Sequence, residues 1–257
     1  MPFTVHEVVR NLRIRQTLIA AVVVALGLGS GVARAQLIET KIWDVARGTH
    51  VSDLPSEFVR QACGTNGGPP SLPLDGFEEF ERCAVEVETG LREVWFSYDD
   101  EMELVYRAFR APEEQMGQAR ANVLFMHPVL FSLLIDDQGL MKGYRVVSDS
   151  REDPSTRMDA DVVARPLKLT VYGTGGGWEC IDLPREAGEE PIGDVFFKDL
   201  CKKITDDGWH VSIETHLYLK RRGSGGVQVA RGTNEFAASV RLEVISADLV
   251  ANLPAGG

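Results

Sequence analysis

Four cysteines restrict the folds open to this chain more than any other residues do. Cys63 and Cys83 enclose a short segment, Cys180 and Cys201 enclose another of similar length, and a much longer segment separates the two pairs. An even number of cysteines in an exported protein indicates disulfides, and four cysteines allow three sets of bonds. The spacing favours the two local bonds, each worth about 3 kcal/mol if it acts by restricting the unfolded chain. A zinc site would need closely spaced ligand pairs, which the sequence lacks.

The N-terminal segment has the features of a secretory signal peptide. Basic residues precede an apolar run over 18–28, and the small residues Ala33 and Ala35 occupy the positions that a signal peptidase reads. We therefore expect residues 1–35 to be removed, which leaves a mature chain that begins at Gln36 and has no membrane span. A permanent anchor is the alternative, although the uncharged stretch is at the lower limit of length for crossing a bilayer.

Charge and composition exclude several classes of protein. The formal net charge is −11 at pH 7, with 38 acidic and 27 basic residues, so there is no surplus of basic side chains to neutralise phosphates. This argues against a nucleic-acid partner and predicts a protein that resists anionic surfaces. Hydrophobic residues make up 44 % of the chain, which is ordinary for a globular protein and excludes a multi-span membrane protein.

Hydrophobic periodicity and turn residues divide the first half of the chain into short elements. The pattern predicts helices over 54–62, 75–83 and 102–109, a strand over 91–98, a loop over 64–70, and a hairpin of strands 129–135 and 140–147. The hairpin is the clearest element, because Asp136-Asp137-Gln138-Gly139 separates two apolar runs. The helix over 102–109 has an extended alternative.

The second half follows a polar connector over 150–165. We expect a strand over 167–172, a glycine-rich loop over 173–177, a helix over 193–205, and strands over 210–220 and 236–244. In the predicted helix, Phe197, Leu200, Cys201 and Ile204 share one face, and Gly208 is a suitable stop. In the two predicted strands, apolar and polar residues alternate.

Together these elements predict an α+β fold of antiparallel sheets with short helices. Each half has one local cysteine pair and is expected to contribute antiparallel strands. The sequence allows either two small disulfide-stapled subdomains or one composite domain. The predicted organisation is a signal peptide over 1–35, an N-terminal subdomain over 36–150, a connector over 151–166 and a C-terminal subdomain over 167–257.

One resemblance to a known family rests on three segments. Residues 48–55, Gly-Thr-His-Val-Ser-Asp-Leu-Pro, together with the strand over 91–98 and the turn at 136–139, are similar to exported modules of the SmpA/BamE type. The resemblance implies a helix opened by a Gly-x-x-x-x-[D/E]-[V/L] segment, an antiparallel sheet, and a non-enzymatic scaffold role in the envelope. The segment between Cys63 and Cys83 and the lack of a lipid-anchor cysteine depart from that pattern.

The strongest candidate for a chemical site lies on the predicted strand over 210–220. Side chains alternate along a strand, so His210, Glu214 and His216 lie on one face. Two imidazoles and a carboxylate are sufficient for zinc, but the two histidines would be about 20 Å apart at ~3.3 Å per residue. Glu214 and His216 are therefore the only close pair. We interpret this face as the polar side of a half-buried strand and predict no cofactor.

Other patterns assign no catalytic residues. The loop over 173–177 lacks the following helix N-terminus that a phosphate-binding loop needs. The acidic residues Asp99, Asp100, Glu101 and Glu103 lack the spacing of a calcium-binding loop. The motifs G-x-S-x-G and H-E-x-x-H are absent. A dispersed Ser-His-Asp site stays open, because such triads are recognised by geometry.

We therefore expect an exported, non-enzymatic binding or structural module of the cell envelope, periplasmic or secreted, with a protein partner. The alternatives are a secreted hydrolase with a dispersed polar site and a metal- or ligand-binding periplasmic protein. A deep pocket with convergent histidine and acidic side chains would favour the alternatives. An exposed apolar patch or an unpaired sheet edge would favour the module.

Overall fold

Antiparallel strands dominate the part of the chain that the structure describes. A computed structural model gives residues 41–99, 105, 108–110, 122–124, 127–149, 164–165, 167–171, 177–220 and 235–250, all within the unit Thr40–Gly257. The strands are β1 (Phe58–Cys63), β2 (Arg92–Tyr98), β3 (Val123–Leu124), β4 (His127–Ile135), β5 (Met141–Ser148), β6 (Glu179–Asp182), β7 (Glu189–Glu190), β8 (Phe197–Ile204), β9 (Trp209–Lys220) and β10 (Glu235–Ser246). The helices are 3₁₀ turns at Ile42–Asp44, Val51–Asp53 and Phe77–Arg82, a π-helical turn at Leu167–Val171 and the α-helix α1 (Ala247–Val250).

The ten described strands form one antiparallel sheet. Their order is β1-β2-β4-β5-β10-β9-β8-β6, with β3 beside β4 and β7 beside β9. The hairpins β4–β5 and β9–β10 meet at the β5–β10 pair, where Tyr144 faces Val244. Strands from both halves of the chain therefore share one sheet. The domain boundaries proposed from the sequence stay a prediction.

One face of the sheet is apolar and carries the core. Along β9, the buried residues Val211 and Ile213 alternate with the half-buried residues His210, Ser212 and Glu214. The main core combines side chains of β2, β4, β5, β9 and β10 with side chains of the short helices, among them Val94, Phe96, Phe131, Leu133, Val146, Ile213, Leu242, Phe77, Phe80 and Leu167. An antiparallel sheet can cover one face with a core and leave its other face polar.

The other face carries a polar row that crosses seven strands. Residues directly opposite each other in an antiparallel ladder share one face of the sheet. The successive partners in this row are Trp95, Ser132, Arg145, Glu243, Ser212, Lys202 and Glu179. This face positions the candidate functional site.

Both predicted local disulfides are present. Cys63 at the end of β1 is bonded to Cys83, which directly follows the 3₁₀ turn Phe77–Arg82, and their Cα atoms are 5.2 Å apart. Cys180 in β6 is bonded to Cys201, its direct neighbour in β8. The first bond fixes the base of the loop over 64–70, and the second fastens the last strand of the sheet.

Several elements predicted from the sequence are confirmed. The predicted strands at 91–98, 210–220 and 236–244 correspond to β2, β9 and β10, and the predicted hairpin corresponds to β4 and β5. In the hairpin turn, the Asp136 carboxylate accepts hydrogen bonds from two backbone amides. Gly139 has a φ of 75°, a left-handed conformation that favours glycine.

The helices predicted over 54–62 and 193–205 are wrong, because these segments contain β1 and β8. In β1, Phe58 stacks on Phe96 with ring centroids 4.1 Å apart. Cross-strand packing of this kind outweighs a weak helix propensity. β8 pairs with β9 on one side and with β6 on the other. Of its predicted apolar face, Cys201 is buried while Ile204 is exposed, so the four residues do not form one stripe.

The strand predicted over 167–172 is also wrong. Its described part is a π-helical turn in which Leu167 is fully buried and Lys168 lies 3.5 Å from Asp199. A buried side chain and an ion pair anchor this segment, which is not paired with any described strand. The helix predicted over 75–83 exists as the shorter 3₁₀ turn Phe77–Arg82. The predicted fold class therefore holds in its coarser form, a sheet-rich antiparallel fold with a few short helices.

Some predicted features lie outside the described residues. They are residues 1–35, most of the segments 102–109 and 150–165, and the loop over 173–177 except for Gly177. Within the described ranges, no helix has the length and apolar character needed to cross a membrane.

Candidate functional site

The polar face of the sheet forms the floor of an open groove of about 520 Å³. Its floor consists of Leu200 and Lys202 from β8, His210, Ser212 and Glu214 from β9, and Arg241, Glu243 and Ile245 from β10. Its walls are formed by Asn66, Glu88, Thr89 and Val250. We call this feature the groove.

The strand register explains why these side chains converge. Glu243 faces Ser212, which faces Lys202 on the next strand. Two residues further along, Arg241 faces Glu214 in the same way. Because positions i and i+2 of a strand project from the same face, both rows point into the groove.

Arg145 lies beside this floor, on the same face of β5, and ties three carboxylates together. It is 2 % exposed. Its Nη1 is 2.8 Å from Glu86 Oε1 and 2.9 Å from Glu93 Oε2, and its Nη2 is 2.7 Å from Glu243 Oε2. Arg241 donates a further hydrogen bond to Glu243 Oε2, at 2.8 Å. A buried charge is tolerated when it is paired and hydrogen-bonded in this way.

Burial and charge compete at this network. Burial alone would lower the pKa of Arg145, but the hydrogen bond to Glu86 and the nearby carboxylate charges outweigh it and raise that pKa. Burial alone would raise the pKa of Glu243, but the charges of Arg145 and Arg241 outweigh it and lower that pKa. Both groups are therefore charged at neutral pH and form a stable ion pair.

The loop over 64–70 is held against the groove by the same network. Asn66 N donates a hydrogen bond to Glu93 Oε2 at 2.6 Å, and Asn66 O accepts one from Arg241 Nη1 at 3.0 Å. The loop approaches so closely at Gly64 that an added Cβ would lie 2.3 Å from the Glu93 side chain. The polar network thus fixes one wall of the groove.

The structure brings Glu214 and His216 together and leaves His210 apart from them. Glu214 Oε1 lies 2.8 Å from His216 Nε2, and this contact lowers the pKa of Glu214 against the opposite effect of burial. His210 lies further along the groove, opposite Ile204 and Ile245. Burial, followed by the charge of Lys202, lowers the pKa of His210.

The described side chains of the groove form neither a cluster of metal ligands nor a hydrogen-bonded serine–histidine pair. Among the described side chains, no three His, Cys, Asp or Glu residues are grouped to hold one metal ion. A serine nucleophile needs a base within hydrogen-bonding reach. Ser212 and His210 line the same groove, but no hydrogen bond joins these two described residues.

A second buried ion pair lies on the same face of the sheet. Lys198 Nζ is 3.0 Å from Glu189 Oε2 and donates a hydrogen bond to Pro184 O at 3.0 Å. Burial opposes the ionised carboxylate, but hydrogen bonds from the Glu186 backbone and from Lys198 outweigh it and lower the pKa of Glu189 to about 2. This pair fastens β7 to β8 and has a structural role.

The sequence analysis singled out the groove residues of β9 and did not single out those of β8 and β10. The alternation over 236–244 places Arg241 and Glu243 opposite the apolar side of β10, and this signal could have identified them. Lys202 was hidden by the wrong helix prediction. Nothing in the local sequence around Arg145 indicates a buried arginine.

Comparisons of the chain with protein-family models, curated proteins and solved structures find no match. The resemblance to SmpA/BamE-type modules therefore stays a hypothesis. The fold and its exposed surfaces are the basis for inferring function.

Proposed function

We propose that this chain is an exported, non-enzymatic binding module of the cell envelope, which contacts a protein partner through the margin of its sheet at β6 and β8. The proposed location, periplasmic or secreted, rests on the signal-like segment over 1–35 and on the two disulfides, which form in oxidising compartments. The net charge of −11 disfavours nucleic acid as the partner.

Exposed isoleucines at this margin are the observation that carries the proposal. Ile181 in β6 is 59 % exposed and Ile204 at the end of β8 is 67 % exposed. Both lie on the same face of the sheet as the half-buried Leu200, which faces Ile181 directly. Apolar side chains gathered at one margin are typical of a surface that a partner covers.

The outer side of β6 adds backbone groups to this surface. β6 pairs with β8 on one side, and no described strand pairs with its other side. An extended segment of a partner can pair with such an edge while its alternate side chains contact Ile181. The acidic residues Glu179 and Asp182 at the ends of β6 disfavour unselective pairing between copies of the chain.

A secreted hydrolase is the second candidate, and one observation favours it. The groove gathers Ser212, His210 and Glu243, which are residue types used in nucleophilic catalysis. We rank it second because the serine and the histidine are not hydrogen-bonded to each other. Hydrolysis of ester or peptide substrates that is abolished by Ser212→Ala would reverse this ranking.

The test of the proposed function uses the full chain, exported by its own host and recovered as bait from envelope extract. We compare the unchanged chain with Ile181→Lys and with Leu72→Lys. Leu72 is 41 % exposed and lies next to β1, so Leu72→Lys introduces the same charge at the other end of the sheet. We expect a partner that is retained by the unchanged chain and by Leu72→Lys and is lost with Ile181→Lys. Equal capture by all three, or no capture, would contradict the proposal.

A further inference from the structure

The charged groups on the groove floor are mostly engaged with one another. Glu243 accepts hydrogen bonds from Arg145 and Arg241. Glu214 is paired with His216. Arg241 also donates to Asn66. Glu243 is therefore neutralised by two arginines, and Glu214 is engaged by the His216 side chain.

Three polar side chains on the floor are available to bind a ligand. Lys202, His210 and Ser212 all line the groove, and the side chains of these described residues take part in no hydrogen bond or ion pair. Lys202 faces Ser212 across the β8–β9 pair, and His210 is two residues from Ser212 on the same side of β9. An ammonium, an imidazole and a hydroxyl are thus clustered, and no acceptor among the described residues uses their donors.

The electrostatic surroundings of His210 favour an anion between it and Lys202. Burial and the positive charge of Lys202 lower the pKa of His210, and Glu243 opposes them weakly. An anion in contact with both groups would offset the repulsion between Lys202 and a protonated His210. Two carboxylates near the site, Glu88 on the wall and Glu179 opposite Lys202, are exposed, so solvent and salt screen their repulsion.

An apolar strip lies beside these donors. Leu200, Ile245 and Val250 line the groove, and the exposed Ile204 lies opposite His210. A volume of about 520 Å³ has room for a chain of several carbons next to the polar cluster. The groove therefore offers an amphipathic ligand both a polar end and an apolar wall.

We propose that the groove binds an organic anion, whose carboxylate contacts Lys202, His210 and Ser212 and whose apolar part lies against Leu200, Ile245 and Val250. This site goes beyond the proposed protein partner, because it takes a small ligand in the absence of any other protein. Inorganic phosphate shares the negative charge but lacks the apolar part, so the two ligands can be distinguished.

The test measures binding of octanoate to the purified chain by calorimetry and by NMR of the histidine side chains. Acetate, inorganic phosphate and octanol are the comparison ligands. We expect octanoate to bind at least about tenfold more tightly than acetate, because its methylenes bury apolar surface that acetate lacks. We expect octanol and phosphate to bind more weakly than octanoate, since each lacks one of the two features that the groove recognises.

Matched variants locate the site. Lys202→Gln is expected to weaken octanoate binding by about tenfold, as for the loss of a hydrogen bond to a charged group. Lys203→Gln makes the same change on the opposite face of β8, where Lys203 lies over the Trp178 ring at 5.9 Å from its centroid, and should leave binding within about twofold of the unchanged chain. Circular dichroism confirms that both variants are folded.

The pH dependence gives an independent readout. The charged groups that act on His210 are Lys202 and Glu243, and Glu88, Glu214 and Arg241 line the same groove. Octanoate is expected to raise the pKa of His210, and its affinity should fall as pH rises through that pKa. His210→Gln should abolish this dependence. Octanol bound as tightly as octanoate, equal losses in the two lysine variants, or no octanoate binding would each overturn the proposal. Partner capture is tested at Ile181, which does not line the groove, so the two proposals can fail separately.

Discussion

Arg145 lies directly opposite Glu243 across the β5–β10 pair, and its guanidinium donates two hydrogen bonds to one oxygen of that carboxylate, at 2.9 and 2.7 Å. β5 belongs to the first half of the chain and β10 to the second. The two halves are therefore joined by a buried ion pair as well as by the backbone hydrogen bonds between β5 and β10. Such a pair is weak as a source of net stability but costly to break from one side.

Replacing Arg145 should destabilise the fold strongly. Arg145→Met keeps the approximate volume of the side chain but leaves Glu93, which is 4 % exposed, without a cation and leaves Glu243 with Arg241 alone. We expect a loss of about 3–5 kcal/mol in the free energy of unfolding, measured by urea denaturation. Arg82→Met is the control, because the Arg82–Glu79 pair lies on the surface and its loss should barely move the midpoint. Similar small changes in both variants would show that the buried network is not required.

The sequence predicted strands best where one face of the strand is buried. In β9 the apolar residues at alternate positions indicate both the strand and its polar side, so His210 and Glu214 were placed on the correct face. In β8 the spacing of Phe197, Leu200, Cys201 and Ile204 matches a helix. The segment becomes a strand because β9 and β6 flank it. Long-range pairing of this kind has no local signal.

The groove could be predicted only in part for a related reason. Arg145 meets Glu86 and Glu243 at separations of 59 and 98 residues along the chain. Its burial depends on carboxylates that arrive from distant segments, and a strand pattern alone would place an arginine at the surface. Which strands lie side by side determines the site, and the sequence indicates only which side of each strand is polar.

Processing should occur at the end of the signal-like segment. N-terminal sequencing of protein recovered from outside the cytoplasm is expected to begin at Gln36. Ala35→Phe should block cleavage, because the peptidase requires a small residue at that position, whereas Ala21→Leu in the apolar run should be processed normally. Recovery of chains that begin at Met1 outside the cytoplasm would refute the cleavage prediction.

Acid should weaken the fold in part through Glu189. Its folded-state pKa of about 2 lies below its ordinary value of 4.5, so the carboxylate contributes stability that is present above the ordinary value. That contribution is lost as the pH falls from about 4.5 towards about 2. Glu189→Gln should lower the urea midpoint at neutral pH and reduce the further fall between pH 5 and 2.5. Glu81→Gln, at an exposed carboxylate, is the control. An unchanged acid dependence in Glu189→Gln would contradict this assignment.

The two disulfides should differ in their access to reductant. Cys180 is exposed in β6, whereas Cys63 and Cys83 are 5 % and 3 % exposed. Exchange requires a thiolate to reach one of the sulfurs, so limited dithiothreitol should cleave Cys180–Cys201 first. Alkylation of new thiols followed by peptide mass mapping will identify the bond that opens.

Loss of the two bonds should also have different structural consequences. Opening Cys180–Cys201 removes the covalent bond between β6 and β8 at the margin of the sheet and leaves their backbone pairing. The double variant Cys180→Ser/Cys201→Ser should therefore keep the near-ultraviolet spectrum of the core. The double variant Cys63→Ser/Cys83→Ser removes the tie between β1 and the 3₁₀ turn Phe77–Arg82, which supplies Phe77 and Phe80 to the core. We expect it to lose about 2–5 kcal/mol in the free energy of unfolding. Earlier labelling of Cys63 or Cys83 would contradict the order of reduction. Unreduced peptides that join Cys63 or Cys83 to Cys180 or Cys201 would contradict the pairing.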